Sequence, residues 1–242
     1  MSLPKLTVMK HELSLPSTGK KVTYRPFLVK EEKILMMAMQ GGETTDIVRT
    51  LRDIIESCVE SELNVKSLTM FDIEYVFLQL RARSVGDKIP VSYTLEEMCE
   101  KTDKKCQFDA EVNIDEIKVE KKKNHKDLID ITDKVKVKMK YPEIEMASKL
   151  SNLDKNETID ATFTMIGQCI EYIMDGEEIH KPTDYTEKEL DDFINSLSSE
   201  QFKSIQQFFD TMPKLRHKVV GKCAKCGKED EKVLEGMADF FV

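Results

Sequence analysis

Two pairs of cysteines, far apart in the sequence, constrain the fold of this chain more than any other feature. The first pair, Cys99 and Cys106, encloses six residues, and the second, Cys223 and Cys226, encloses two and is followed by Gly227. Glycine suits the end of such a turn because it tolerates a positive φ. The second spacing is typical of a metal-binding turn, whereas the first is wider than usual. If all four thiolates bind one metal ion, the chain between the pairs must close a large loop.

The length and composition indicate a globular protein with reduced thiols. The 242 residues suffice for one large domain or two small ones, and 40% of them are hydrophobic. The N-terminus has no apolar segment of the kind found in signal peptides, and no apolar run approaches the roughly 20 residues of a membrane span. We therefore expect the six cysteines to be thiols or metal ligands in a cytoplasmic protein.

The charge balance is acidic, with 37 Lys and Arg against 45 Asp and Glu and a net charge of −8. Proteins that bind nucleic acid in general present a basic face and a high isoelectric point, so we expect no nucleic acid partner. One exception is the alternation of lysines over 134–140, which predicts a strand with a lysine face. A solvent-facing sheet edge explains that face more simply than an anion site, because lysines discourage unwanted strand pairing.

The first part of the chain predicts a small hairpin followed by helices. Weak alternation and a Pro-Ser-Thr-Gly turn indicate the hairpin over residues 4–25. Cys58 lies on an apolar helical stripe, so we interpret it as a core thiol. The predicted helices lie at about 29–41, 44–58 and 69–83.

Strand patterns dominate from residue 87 onward. Strands flank the first cysteine pair, and another leads into Cys223. A helical insert is predicted at about 157–210, where Thr186 and Ser198 begin two capping boxes. The predicted class is therefore α+β: a helical N-terminal half with a small N-terminal hairpin at 1–86, and a β-rich, zinc-ribbon-like, cysteine-clasped half at 87–242 that carries the insert.

A closed site with four thiolates would be structural, because it leaves no open position for water or substrate. We predict that it binds Zn²⁺ and is sensitive to chelators. Two alternatives stay open: free thiols whose spacing is accidental, and a redox pair at the second site, although redox pairs normally open a helix. The predicted ligands are Cys99, Cys106, Cys223 and Cys226. Three histidines could replace a ligand but are more typical of surface residues: His125, His180 and His217.

The sequence contains no pattern that indicates catalysis. It has no Walker A run, GxGxxG, GxSxG or HExxH motif. Acidic pairs such as Glu31–Glu32 and Asp191–Asp192 are adjacent, which directs their carboxylates to different helix faces. We therefore expect a protein that is not an enzyme.

Three stretches resemble one protein family. They are LSLPSTGK with VTYRPFLVKEEK in 13–33, LRARSVG in 80–86, and CAKCG with LEGMADFF in 223–241. Together they resemble the baseplate hub subunit and assembly-protein family of T4-like contractile-tailed phages over essentially the full length. The resemblance implies a chaperone-like assembly factor or a structural component of the baseplate hub. It also implies other phage baseplate hub and tail proteins as partners, in the host cytoplasm during assembly or in the virion.

Two other functions stay open at this point. The cysteines and the lysine strand are compatible with a zinc-ribbon adaptor that binds nucleic acid, whose binding should fall steeply with salt. The second cysteine pair is compatible with a thiol redox protein. Candidate contact surfaces for protein partners are the methionine-rich segment 33–39, for which an ordinary helix core is the simpler interpretation, and the closing residues Phe240 and Phe241.

Overall fold

The computed structural model describes residues 7–41, 44–102, 104–144, 146 and 155–236. In these ranges, six α-helices and eleven β-strands have defined bounds, and the strands form three antiparallel sheets. The helices are α1 (Val29–Gly41), α2 (Thr44–Cys58), α3 (Met70–Ser84), α4 (Lys155–Gln168), α5 (Glu187–Asn195) and α6 (Ser199–Thr211). The strands are β1 (His11–Ser14), β2 (Lys21–Tyr24), β3 (Lys88–Met98), β4 (Lys105–Asn113), β5 (Lys118–Glu120), β6 (Leu128–Asp130), β7 (Val135–Met139), β8 (Ile170–Asp175), β9 (Glu178–His180), β10 (Lys214–Cys223) and β11 (Glu229–Glu235).

The predicted division into a helical N-terminal half and a β-rich, zinc-ribbon-like second half is wrong. Strands are spread from β1 near the N-terminus to β11, and three of the helices lie in the second half. Only the start of the chain, with α1 to α3, is rich in helix. The helical insert predicted at about 157–210 is wrong in part, because it contains the strands β8 and β9. The physical cause is that a short apolar run such as Ile170–Asp175 does not distinguish a strand from a buried helix by its periodicity.

By their contacts, the residues form two compact units. The first comprises the described parts of 1–65, 71–120 and 214–242, and the second those of 66–70 and 121–213. Units defined by contacts need not coincide with domains that fold separately, so the predicted boundary at residue 86 stays a prediction. No helix in the described ranges is both long enough and apolar enough to cross a membrane.

The first unit is built on a five-stranded sheet in the order β11–β10–β4–β3, with β5 paired to the start of β10. One face of this sheet is the core, where Phe108 and Val112 of β4 and Leu215 of β10 are fully buried. Helix α3 supplies Leu78 to the same core cluster. Apolar residues cover most of the circumference of α3, which is typical of a helix packed between other elements, and most of these side chains are buried.

Gly221 of β10 lies where two aromatic residues leave no room for a side chain. An added Cβ atom would lie 2.6 Å from Tyr93 Oη and 2.9 Å from Phe108 Cβ. The two rings stack on each other with centroids 5.6 Å apart, which restricts their movement.

We expect Gly221→Ala to lower the free energy of unfolding by about 1–3 kcal/mol, because overpacking forces the stacked rings apart. Urea denaturation measures the change. Val220→Ala, at the exposed neighbouring position, is the matched control and should change the stability by less than about 0.5 kcal/mol. A Gly221→Ala variant as stable as the wild type would show that the strand relaxes around the added methyl group.

A buried ion pair between Arg25, just before α1, and Glu31, in its first turn, is hydrogen-bonded to Ser57 at the end of α2. Arg25 Nη2 donates hydrogen bonds to Glu31 Oε1 at 2.9 Å and to the Ser57 carbonyl at 3.0 Å. The same Glu31 oxygen accepts from Ser57 Oγ at 2.8 Å, and the Leu28 N–H donates to Glu31 Oε2 at 2.8 Å. The Glu31 side chain is only 3% exposed and that of Arg25 15%. We call Arg25, Glu31 and Ser57 the N-terminal clamp.

The clamp makes the free energy of unfolding depend on pH in the acid range. Burial opposes the charged form of Glu31, but the bonds from Arg25, the Leu28 N–H and Ser57 outweigh it and lower the pKa of this carboxyl to about 2. Because the folded pKa lies below the unfolded one, the stabilisation is complete above about pH 4.5 and is lost as the pH falls toward 2.

We expect this acid-dependent loss to reach about 3 kcal/mol, from the size of the pKa shift. The measurement compares urea unfolding of the wild type and Glu31→Gln between pH 5 and 2.5. The variant should lose less stability over this range than the wild type, whereas Glu32→Gln, on the neighbouring residue, should follow the wild type. Parallel curves for all three proteins would contradict the assignment.

The second unit contains a four-stranded sheet in the order β6–β7–β8–β9, with helices α4, α5 and α6 contributing to its core. The two predicted capping boxes are confirmed, at Thr186 with Glu189 and at Ser198 with Gln201. The lysine strand is β7, which lies inside the sheet rather than at its edge, contrary to prediction. Its lysines are neutralised by neighbouring carboxylates: Lys136 pairs with Asp130 at 3.0 Å and Lys138 with Asp127 at 2.6 Å.

Candidate metal centre

Strand register brings the two cysteine pairs together. The hairpins β3–β4 and β10–β11 lie side by side in one sheet, because β10 pairs antiparallel with β4 at Cys223 and Phe108. In this arrangement the turns of both hairpins lie at the same end of the sheet. Cys99 directly follows β3 and Cys106 lies at the start of β4, while Cys223 ends β10. The predictions of strands on both sides of the first pair and of a strand leading into Cys223 are confirmed.

The four sulfur atoms form a compact group. All four Sγ atoms lie within 4.8 Å of one another, and Cys106 and Cys226 are 3.6 Å apart. A tetrahedral Zn²⁺ with Zn–S bonds of about 2.3 Å separates its sulfur ligands by about 3.8 Å. Three of the cysteines are buried, Cys226 is half-buried, and none is in a disulfide. The four sulfur donors and their spacing therefore fit a metal ion that is bound tetrahedrally by thiolates, such as Zn²⁺.

Backbone hydrogen bonds hold both turns. In the second turn, the Cys223 N–H donates to Lys228 O at 2.8 Å and the Gly227 N–H donates back to Cys223 O at 2.9 Å. Gly227 has a φ of 81°, the left-handed conformation that glycine favours. The wider first turn also folds back, since the Cys99 N–H donates to Lys104 O at 2.8 Å. An unusual spacing thus still yields a closed turn.

The turns also prepare two of the thiols to ionise. The backbone N–H groups of Cys226 and Lys225 hold the pKa of Cys223 at about 6. The Thr102 hydroxyl, which donates toward Cys99, lowers the pKa of that thiol. Stabilised thiolates are the form in which cysteine binds a metal.

The third thiol, that of Cys106, is held in its neutral form by its surroundings. Burial raises the pKa of Cys106 to about 12, and the neighbouring Cys226 adds to this effect. Thiolates this close repel one another, so the whole group ionises only if a positive charge offsets them. A divalent ion at the centre of the four sulfur atoms would supply that charge. Outside the sulfur group, an ion pair between Glu97 and Lys228 joins the two hairpins.

The histidines take no part in this group. Among the residues with described positions, the ligand cluster consists of cysteines alone. His125 is buried elsewhere and bonds through both ring nitrogens, to Thr211 at 2.9 Å and Tyr141 at 3.0 Å. His180 is exposed in β9, and His217 lies within β10.

The two other interpretations of the cysteines fit the structure less well. No helix begins at Cys223, because the chain turns there and continues into β11. Redox pairs normally open a helix, whereas here the pair lies in a turn with two further thiols within 4.8 Å. Accidental spacing does not account for four sulfur atoms in one group. The remaining cysteines are core thiols, as predicted for Cys58: burial raises the pKa of Cys58 to about 11 and that of Cys169 to about 12.

Sequence reasoning missed the N-terminal clamp. The segment RPFLVKEEK was singled out for its resemblance alone, although its Arg25 and Glu31 carry the clamp. A buried pair of opposite charges six residues apart has no periodic signal, and its third member, Ser57, comes from another helix. The methionine-rich segment 33–39 does not form an ordinary helix core as expected, because Ile34, Met36 and Met37 are exposed on α1. Phe240 and Phe241 lie outside the described residues.

Comparison with known proteins agrees with the resemblance seen in the sequence. A family model described as T4 bacteriophage base plate protein matches residues 8–242. The baseplate hub assembly protein gp26 of Enterobacteria phage T4 is 26% identical over 227 residues, which cover 92% of this chain and 93% of that protein. No solved structure matches the chain. The family match spans all four cysteines and both compact units, and it confirms that the chain belongs to the T4 bacteriophage base plate protein family.

Proposed function

We propose that this chain acts in building the baseplate hub of a contractile phage tail, as an assembly factor that is not an enzyme. The observation that carries the proposal is the full-length match to a relative named for hub assembly. Because the match covers nearly all of this chain and of the relative, it concerns the described fold throughout rather than one shared module. The expected partners are other baseplate hub and tail proteins, met in the host cytoplasm while the baseplate forms.

Two structural features support a role in protein contacts. Ile34, Met36 and Met37 leave an adaptable apolar surface on α1, of the kind that suits protein partners. The four-cysteine group would be a closed site, with no position left for substrate once a metal is bound. The paired lysines of β7 count against the nucleic-acid adaptor, because their charges are already neutralised.

We further propose that Cys99, Cys106, Cys223 and Cys226 hold a structural Zn²⁺. The chemistry of four thiols within 4.8 Å of one another supports this assignment. When bound, the ion would supply a cross-link between the two hairpins and would have no catalytic part.

The test of the hub function is affinity purification of the tagged protein from infected cells, followed by mass spectrometry. Hub and tail proteins should be enriched over a tagged host protein of similar acidity. Recovery of none of them would refute the proposal. Mass spectrometry of purified particles then separates the roles: an assembly factor is absent from the virion, and a structural component is present in a fixed ratio to the hub proteins.

A further inference from the structure

The short strand β6 leaves hydrogen-bonding groups of its backbone facing outward. Among the described strands of its sheet it lies at the edge, beside β7. Asp127 O accepts from the Met139 N–H at 2.7 Å, and the Ile131 N–H donates to Val135 O at 2.9 Å. Because the partner alternates along an antiparallel pair, the N–H and C=O groups of Leu128 and Asp130 point away from β7.

Helix α6 runs alongside this open edge and is fixed to it at both ends. Near its start, Gln201 Nε2 donates to Ile131 O at 3.2 Å. Near its end, Thr211 Oγ1 lies 2.9 Å from His125 Nδ1. The Thr211 hydroxyl donates to Gln207 O at 2.5 Å, so it accepts from His125. The helix and the strand are therefore held as the two walls of a groove.

The groove is open and small. Its volume is about 260 Å³, below the 300–1,000 Å³ of typical small-molecule sites, so side chains of a peptide fit it better than a cofactor. Ser204, Gln207, Phe208 and Thr211 of α6 line one wall at helical spacing. Leu128, Ile129 and Asp130 line the other. Both apolar and polar side chains thus line the groove beside an unpaired strand edge.

The charge of the groove favours an acidic occupant. Asp130 is already paired with Lys136 at 3.0 Å, so its carboxylate is neutralised. Lys126 also lines the groove, and within the described ranges it takes part in no ion pair. It stands just before β6, where the C-terminal part of an added antiparallel strand would lie.

From this geometry we propose that the groove between β6 and α6 binds an extended segment of a protein partner, which adds as a strand to β6. The segment carries an acidic residue that meets Lys126 and an apolar side chain that enters the groove. Strand addition uses backbone hydrogen bonds for affinity and side-chain pockets for specificity. The biological source of the segment rests on the proposed hub function, whereas the binding surface is defined by the groove itself.

The test uses the full-length chain and an array of overlapping 15-residue peptides covering the baseplate hub and tail proteins encoded by the same phage. Peptides that bind should contain a short apolar stretch with Asp or Glu. The strongest binder is then titrated in solution against matched variants. Asp130→Pro and Asp130→Ala both lose the carboxylate, but only proline lacks the outward N–H and blocks strand addition.

We expect Asp130→Pro to bind the peptide at least about tenfold more weakly than Asp130→Ala, since one hydrogen bond is lost and the edge is obstructed. Lys126→Glu should weaken binding and make it less sensitive to salt, while Lys134→Glu, at an exposed site outside the groove, should not. Circular dichroism checks that each variant is folded.

Equal binding by Asp130→Pro and Asp130→Ala would overturn the proposal, as would an array on which the wild type binds no peptide. The affinity purification from infected cells separates this failure from failure of the hub function. If wild type and Asp130→Pro recover hub proteins equally well, the groove is wrong and the hub function stands. If the wild type recovers none, the hub function is wrong whatever the array shows.

Discussion

Replacing Cys106 with serine is expected to abolish metal binding and to lower the free energy of unfolding by about 5 kcal/mol. Cys106 is fully buried, and its sulfur lies 3.6 Å from that of Cys226 across the two hairpins. A metal that joins these hairpins closes the loop between residues 106 and 223. A metal that binds the folded chain and not the unfolded one adds its binding free energy to the stability, about 4 kcal/mol when the free ion is at a thousand times its Kd, and the loss of a buried ligand adds to this.

The measurement is urea unfolding with and without a strong chelator. The chelator should destabilise the wild type and leave Cys106→Ser unchanged, because the variant has no metal to lose. Cys58→Ala is the control for loss of a buried thiol: it should be less stable than the wild type but keep its metal and its response to chelator. Equal responses of the wild type and Cys106→Ser would contradict the cross-link.

Replacing Arg25 with alanine should have the next largest effect, a loss of about 3–5 kcal/mol. The change removes the guanidinium that donates to the buried Glu31 carboxylate at 2.9 Å, and it leaves only the exposed Lys30, whose Nζ lies 3.2 Å from the same oxygen. It also removes the guanidinium from the Ser57 carbonyl. Arg25→Lys keeps the charge but not the planar set of donors, so it should fall between alanine and the wild type.

A double-mutant cycle tests whether the loss of stability comes from the Glu31 carboxylate that no longer has Arg25 beside it. The cycle consists of Arg25→Met, Glu31→Met and the double variant. The double variant should be more stable than Arg25→Met alone, because apolar residues of similar size replace a buried pair at little cost. If the two single changes instead add up in the double variant, the residues act independently and the clamp does not exist as a unit.

Local patterns predicted several pieces of this fold, although the predicted helical insert at about 157–210 contains the strands β8 and β9. The alternation around Cys99 and Cys106 gave the strands β3 and β4, and the capping boxes at Thr186 and Ser198 gave the starts of α5 and α6. The four ligands of the candidate site were also named from their spacing alone. Each of these signals lies within a few residues of sequence.

The arrangement of the pieces was beyond such signals. That β10 pairs with β4 at Cys223 depends on contacts between residues more than a hundred positions apart, and pairing of this kind leaves no local trace. The groove of β6 could not be seen either, because it is formed by a three-residue strand and a helix whose sequence is ordinary. The N-terminal clamp could not be predicted for the same reason, since Ser57 contacts Arg25 only after α2 has folded.

The metal content of the natively purified protein tests the central claim most directly. Elemental analysis of the protein, purified without chelators or metal-affinity resin, should find about one zinc ion per chain. X-ray absorption should show four sulfur ligands at about 2.3 Å. Cys106→Ser, prepared in the same way, should contain almost none. A wild-type protein that is folded and metal-free, with all four thiols open to alkylation, would contradict the metal centre.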